Sequence, residues 1–231
     1  MYKRVVSLAA VIIAGSVFAG PKVSVLGDSY STYSGVIPEG YEVWYTPGKN
    51  GVDSPDKMWW SIVAKGLGGE VEKIDAWSGS TVSNSGYRNR IGRFGASSCG
   101  LADYTHQSFM TRSDRLGSAD VILVFGGTND DWAGVPMGEN KWEDRGKGDL
   151  DYFRPALAEL IVRLRANYPK AKIAFILNCD LKKDTGDAVH DVCAHYGVKC
   201  IDLKGIKKAI GHPTAEGMEE IAAQVLAGLK D

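Results

Sequence analysis

Short apolar runs alternating with amphipathic helical patterns predict an α/β fold: a three-layer α/β/α sandwich around a parallel sheet of about five strands. The runs are Lys22 to Leu26, Val71 to Ala76, Val121 to Phe125, Lys172 to Leu177 and Lys199 to Leu203. The first has the form of a buried parallel strand, and the others are comparable in length, with Val121 to Phe125 apolar throughout. The chain has 231 residues, 44% of them hydrophobic. That is enough for one sizeable core and too short for two comfortable domains, so a single domain over residues 20–231 is expected.

The first nineteen residues are set apart by their composition. Lys3 and Arg4 precede an apolar stretch from Val5 to Phe18, which runs into the small residues Ala19 and Gly20. This is the form of a secretory signal peptide cleaved after Ala19; the stretch is shorter than a membrane span needs. Export to the periplasm or the exterior is therefore expected, with no membrane insertion of the mature protein.

The first strand, KVSVL, is bounded by Gly27, and the chain after Ser29 is expected to turn into a helix. Helical spacing follows in KMWWSIVAK, which would bury at least one of Trp59 and Trp60. Phe153 to Asn167 places Leu157, Leu160, Ile161 and Leu164 on one face, and Ala188 to Tyr196 and Glu216 to Leu229 are similarly amphipathic. Two stretches break the rhythm. Tyr30 to Pro55 is rich in Gly, Pro, Tyr and Trp, and Ser78 to Asp114 in Gly, Ser and Arg. Long irregular segments inside a compact domain are usually functional or disordered, and the aromatic content argues against disorder.

With 27 basic and 28 acidic side chains the formal net charge is −1, and no long run of one sign occurs. Nucleic acid is not an expected partner. No cluster of His, Cys and carboxylates has metal spacing and no glycine loop has the phosphate-binding pattern, so neither metal nor cofactor is expected. Cys99, Cys179, Cys193 and Cys200 match no metal site either. In an exported chain a disulfide is permitted, with the three C-terminal cysteines its first source; buried free thiols are the alternative. Oligomeric state is not legible.

In a parallel α/β sheet, ligands bind beyond the carboxyl ends of the strands. Ser29, in Gly27-Asp28-Ser29-Tyr30-Ser31, stands at the first such end, where a hydroxyl can face a cleft. Taken alone, the tripeptide is equally a turn or a helix N-cap. Asn129, in Gly126-Gly127-Thr128-Asn129-Asp130, follows the third strand, and its amide is a suitable donor to a tetrahedral oxyanion. Gly79, after the second strand, offers an N–H that no Cβ shields. A serine nucleophile also needs a base. His190 and His195 fall in a polar helix, His106 lies in the second irregular stretch, and His212 precedes the last helix, which returns to the active rim. By position His212 is the best candidate.

In order, these four blocks, GDSYS, Gly79, GGTND and His212, resemble the Ser, Gly, Asn and His blocks of the SGNH (GDSL) hydrolases, over nearly the whole mature chain. The resemblance implies a flavodoxin-like sheet in the order 2-1-3-4-5. It also implies ester hydrolysis through an acyl-enzyme, with Ser29 as nucleophile, His212 as base, and the Ser29 and Gly79 amides with the Asn129 side chain as oxyanion hole. One position departs from the family pattern. An Asp usually stands three residues before the histidine, where this chain has Ala209. Asp202, Glu216 or a backbone carbonyl is left to orient His212, the last giving a Ser–His dyad.

Trp44, Tyr45, Trp59, Trp60, Trp77 and Trp132 lie in or beside the loops that would wall the site, and aromatic faces suit sugar rings. Asp28, Trp77, Asp130 and Trp132 are the candidate substrate contacts. Arg88, Arg90 and Arg93 would meet an acidic sugar or simply be solvated. The expected substrate is an ester, an acylated glycan losing O-acetyl groups. The alternatives are a lipase, thioesterase or aryl esterase, and a carbohydrate-binding protein that has lost turnover.

Overall fold

A computed structural model describes residues 20–88 and 101–230. The expected signal peptide, Cys99, Arg90 and Arg93 lie outside the described residues. Along the chain run β1 (Lys22–Gly27), α1 (Trp59–Gly66), β2 (Glu70–Ala76), β3 (Ser85–Tyr87), β4 (Leu101–Asp103), α2 (Phe109–Arg112), β5 (Val121–Phe125), α3 (Thr128–Ala133), α4 (Phe153–Asn167), β6 (Lys172–Leu177), α5 (Lys183–Tyr196), β7 (Lys199–Asp202), β8 (Lys208–Ala209), β9 (His212–Pro213) and α6 (Ala215–Lys230). Five parallel strands form the central sheet in the order β2-β1-β5-β6-β7. This is the 2-1-3-4-5 order that the family resemblance implied, with β3, β4, β8 and β9 paired apart from it as two small antiparallel pairs.

Strand periodicity explains the layers. Along β5, Val121, Leu123 and Phe125 enter one apolar cluster with residues of α1 and α6, while Ile122 and Val124 enter the other with residues of α4 and α5. Both faces are covered, so every β5 side chain is buried. Each such burial contributes roughly 1.5–3 kcal/mol of transfer free energy.

Several boundaries differ from the sequence reading. After β1 there is a turn, with the Ser31 N–H donating to the Asp28 carbonyl at 3.0 Å, and among the described residues only a short 3₁₀ helix at Pro55–Lys57 precedes the first α-helix at Trp59. Tertiary contacts, described below, hold that turn. Helix α5 begins five residues before Ala188, in the polar stretch from Lys183, where apolar spacing gives no signal. The expected irregular segment from Ser78 contains the β3–β4 hairpin and α2, both too short to show periodicity. Trp59 and Trp60 are both core residues. Among the described residues, no helix is long and apolar enough to cross a membrane.

Candidate active site

Register assembles half of the site. Gly27, the last residue of β1, pairs with Ala76 of β2 on one side and Phe125 of β5 on the other. The turns carrying Ser29, Gly79 and Asn129 therefore leave three adjacent strands at one level. A Cβ at Gly27 would stand 2.5 Å from Ser31 Oγ, so only glycine lets the chain turn back this tightly. Gly79 has φ +84°, a left-handed conformation that glycine adopts without strain.

The nucleophile turn is fixed from beneath. Indole Nε1 of Trp59 donates to the Tyr30 carbonyl at 3.1 Å, and that of Trp60 to the Ser31 carbonyl at 3.0 Å. Arg112, fully buried, donates to the carbonyls of Gly27 (3.2 Å), Asp75 (2.8 Å) and Gln107 (3.1 Å), to Ser80 Oγ (2.9 Å), and to the Asp75 carboxylate at 2.6 Å. One guanidinium thus ties the end of β1 to the end of β2 and to the Gly79 turn. The sequence placed Arg112 in an irregular stretch and offered no sign of this role, because its ion-pair partner is 37 residues away.

Asn129 opens α3 beside Ser29. Its Nδ2 donates to the Ser80 carbonyl at 2.9 Å and only loosely to Asp28 Oδ2 at 3.4 Å, while Tyr87 Oη donates to its Oδ1 at 3.2 Å. The amide is thereby oriented with one hydrogen weakly engaged, the one a developing oxyanion would take. Burial pushes the Asp28 carboxyl up to about 7, which makes it a weaker competitor for that hydrogen. Asp28 also accepts from the Tyr30 N–H at 3.0 Å. Asp130 is buried too, raised to about 6 by desolvation, and accepts the amides of Val82 (2.8 Å) and Ser83 (3.0 Å). These two carboxylates, expected to touch substrate, are buried and secure the turns around Ser29 and Asn129 by accepting backbone amides.

His212 completes the arrangement from outside the sheet. It lies on the β8–β9 hairpin, whose two-residue turn, Ile210-Gly211, has φ of +52° and +72°. Left-handed φ at both central residues is the signature of the tight turn that matches strand twist. The turn aims the Ile210 carbonyl at His212 Nδ1, 3.1 Å away, while Nε2 stands 2.9 Å from Ser29 Oγ. A carbonyl only accepts, so Nδ1 carries the proton and Nε2 presents its lone pair to the serine hydroxyl. Asp202 pairs with His190 at 2.8 Å and Glu216 with Lys207, both at the surface. Neither carboxylate reaches His212; the backbone carbonyl holds the position of the family's acid.

Side chains of the first irregular stretch grip the hairpin. Tyr30 Oη donates to the Gly211 carbonyl (2.7 Å) and Tyr45 Oη to that of Pro213 (2.8 Å). Asn50 Nδ2 lies within 3.0–3.3 Å of the Ala209, His212 and Pro213 carbonyls. Rings complete the enclosure. Trp44 stacks on the His212 imidazole (centroids 3.6 Å, 10° between planes), with Lys49 Nζ over its ring, and Tyr30, Tyr45 and Trp132 meet the imidazole edgewise at 5.1–6.4 Å. Trp132, expected to face the cleft, thus lies against the His212 ring. Trp77 is half-buried and stacks on Tyr41 at 4.1 Å, with His106 against its edge. His190 and His195 are exposed, the latter stacked on Trp142, and Arg88 is exposed beside the Leu101 carbonyl.

The family model described as GDSL-like lipase/acylhydrolase matches residues 21–229. The chain belongs to this family. As a GDSL-like hydrolase it is similar to a protein described as a GDSL-like lipase from Bacteroides uniformis. Identity is 40%, the TM-score 0.83, and the match covers 91% of this chain and 96% of that one. It is also similar to one described likewise from Bacteroides ovatus, at 37% identity and TM-score 0.83, covering 92% and 99%. An acetyl xylan esterase from the rumen bacterium Butyrivibrio proteoclasticus shares the fold at 17% identity and TM-score 0.56, over 92% of this chain and 64% of that one. Among curated proteins none matches the sequence. Family membership makes this GDSL-like protein an ester hydrolase.

Proposed function

We propose that this hydrolase removes O-acetyl groups from carbohydrate outside the cytoplasm, using a Ser29–His212 dyad oriented by the Ile210 carbonyl. The relay from Ile210 O through the imidazole to Ser29 Oγ, at 3.1 and 2.9 Å, carries this reading. Ser29 Oγ attacks the acetyl carbonyl carbon as His212 Nε2 takes the hydroxyl proton. The oxyanion forms against the Ser29 and Gly79 amides and Asn129 Nδ2. Its collapse breaks the bond to the sugar oxygen, which receives the proton from His212; water then repeats the sequence on the acetyl-serine and releases acetate.

A small acyl group suits a nucleophile that is 2% exposed and a base enclosed by four aromatic rings. A long acyl chain would need a continuous apolar channel to reach it. The half-buried rings of Trp132 and Trp77 suit pyranose faces, and an acetyl xylan esterase among the structural neighbours is built on the same fold. Export rests on Lys3, Arg4 and the apolar stretch from Val5 to Phe18.

Acetate release from acetylated xylan and from p-nitrophenyl acetate tests the proposal. Ser29→Ala and His212→Ala should each lower turnover about a thousandfold or more. A wild type no faster than Ser29→Ala would remove the catalytic reading and leave a glycan-binding protein. Faster turnover of palmitoyl than of acetyl esters would replace the deacetylase by a lipase.

A further inference from the structure

Away from the hydrolytic centre, two thiols meet in the seam between α5 and the edge strand β7. Helix α5 ends at Tyr196, where Gly197, at φ +58°, and Val198 turn their amides back onto the Ala194 and Cys193 carbonyls at 3.2 and 2.8 Å. This cap brings the chain into β7 within two residues. Cys193 lies three residues before the helix end, about 4.5 Å along the axis at 1.5 Å per residue. Cys200 lies one residue into β7, about 3.3 Å along the strand, so both stand at nearly one level.

Their side chains also share a layer. Successive strand residues point to opposite faces: Ile201 joins the cluster under α1 and α6, whereas Cys200 packs against the cluster containing Cys193. Cys193 is buried and Cys200 partly so. Cys193 is the strongest influence on ionisation of the Cys200 thiol, ahead of burial and of Asp202, and all three push it up. Shared level and shared layer set the two side chains beside each other in the seam between α5 and β7. Cys179 sits on the loop after β6, packed against the other cluster.

We propose that Cys193 and Cys200 are an oxidation site, closing into an intrachain disulfide that staples the last turn of α5 to β7. One thiolate attacks a low-molecular-weight or protein disulfide, forming a mixed disulfide and releasing one thiol. The second thiolate then attacks the mixed disulfide, forming the Cys193–Cys200 bond and releasing the other thiol. The pair thus gives two electrons and two protons to the oxidant. The bridge lies on the edge strand β7, with β5 and β6 between it and the strand that leads to Ser29, and should act on stability without altering turnover.

The test equilibrates the protein, residues 20–231, with oxidised and reduced glutathione, followed by peptide mapping and thermal melts. Expected are a loss of about 2 Da, a cross-linked Cys193–Cys200 peptide, and a melting temperature about 5–10 °C higher than after reduction. Cys179→Ser should keep that redox-dependent difference and Cys200→Ala should abolish it, both with wild-type ester turnover. Three results would overturn the proposal. These are both thiols still alkylatable under oxidising conditions, a bridge from either to Cys99 or Cys179, and stoichiometric zinc held with both thiols reduced. The last has a basis in the His190, Cys200 and Asp202 ligand atoms, which lie within 4.8 Å of one another.

Discussion

The two halves of the active site are held in different ways. Ser29, Gly79 and Asn129 hang from the ends of three hydrogen-bonded neighbouring strands, so sheet register sets their spacing and the core keeps it. His212 hangs from a two-residue hairpin outside that sheet, and its carbonyls are gripped by Tyr30, Tyr45 and Asn50 from the insertion after β1. A defect in the first half is a folding defect. One in the second should leave a folded protein with a misplaced base.

The sharpest separation should come from Arg112→Met. This change leaves Asp75, 1% exposed, as a buried carboxylate without its cation and frees the carbonyl of Gly27. Breaking such a pair from one side costs about 3–5 kcal/mol, which urea denaturation reads directly. A cost under about 1 kcal/mol would mean that the strand-end register stands without the guanidinium. Next in size is Asn50→Ala, which removes the amide facing three hairpin carbonyls. Turnover of p-nitrophenyl acetate should fall by about tenfold or more, since small misplacements of a catalytic group are expensive, with the urea midpoint little changed. If stability and turnover fell together, the hairpin would belong to the cooperative core and the contrast between the halves would fail.

The same contrast explains what the sequence disclosed. The strands and the turns after them were legible because an apolar run followed by Gly-Asp-Ser or Gly-Gly-Thr-Asn writes a strand and its turn within ten residues; the sheet order came from the family resemblance, and His212 from its place before the last helix. The clamps were not legible. Asn50 meets Ala209 across 159 residues, and Arg112 meets Asp75 across 37, so no local pattern marks either. The structural part that Asp28 and Asp130 play was hidden for a related reason. A carboxylate beside a nucleophile reads as a substrate contact, and only the fold shows that both are buried acceptors for backbone amides. Of the three groups left to orient His212, the sequence could not choose; the fold pairs Asp202 and Glu216 elsewhere and brings the Ile210 carbonyl to the ring.

Two smaller changes probe that last point. Ile210 is a β-branched residue at φ +52° and is 81% exposed, so its side chain gives little packing in return for left-handed strain of roughly 1–2 kcal/mol. Ile210→Gly should relieve the strain and, after the added flexibility of the unfolded chain, stabilise by about 0.5–1 kcal/mol with turnover unchanged. A destabilised variant would show that the hairpin depends on isoleucine for more than its backbone. Smallest of all should be the effect of Ala209→Asp, which restores the family's residue. Ala209 pairs with His212 across the hairpin, so a carboxylate there is near the imidazole, but Nδ1 already donates to the Ile210 carbonyl. The large loss on replacing a triad acid comes mainly from the wrong tautomer, and here the tautomer is already set. Turnover should therefore change by less than about threefold. A hundredfold gain would show instead that the carbonyl fixes the ring without supplying what a carboxylate supplies, and that the histidine half of the site lacks a charge.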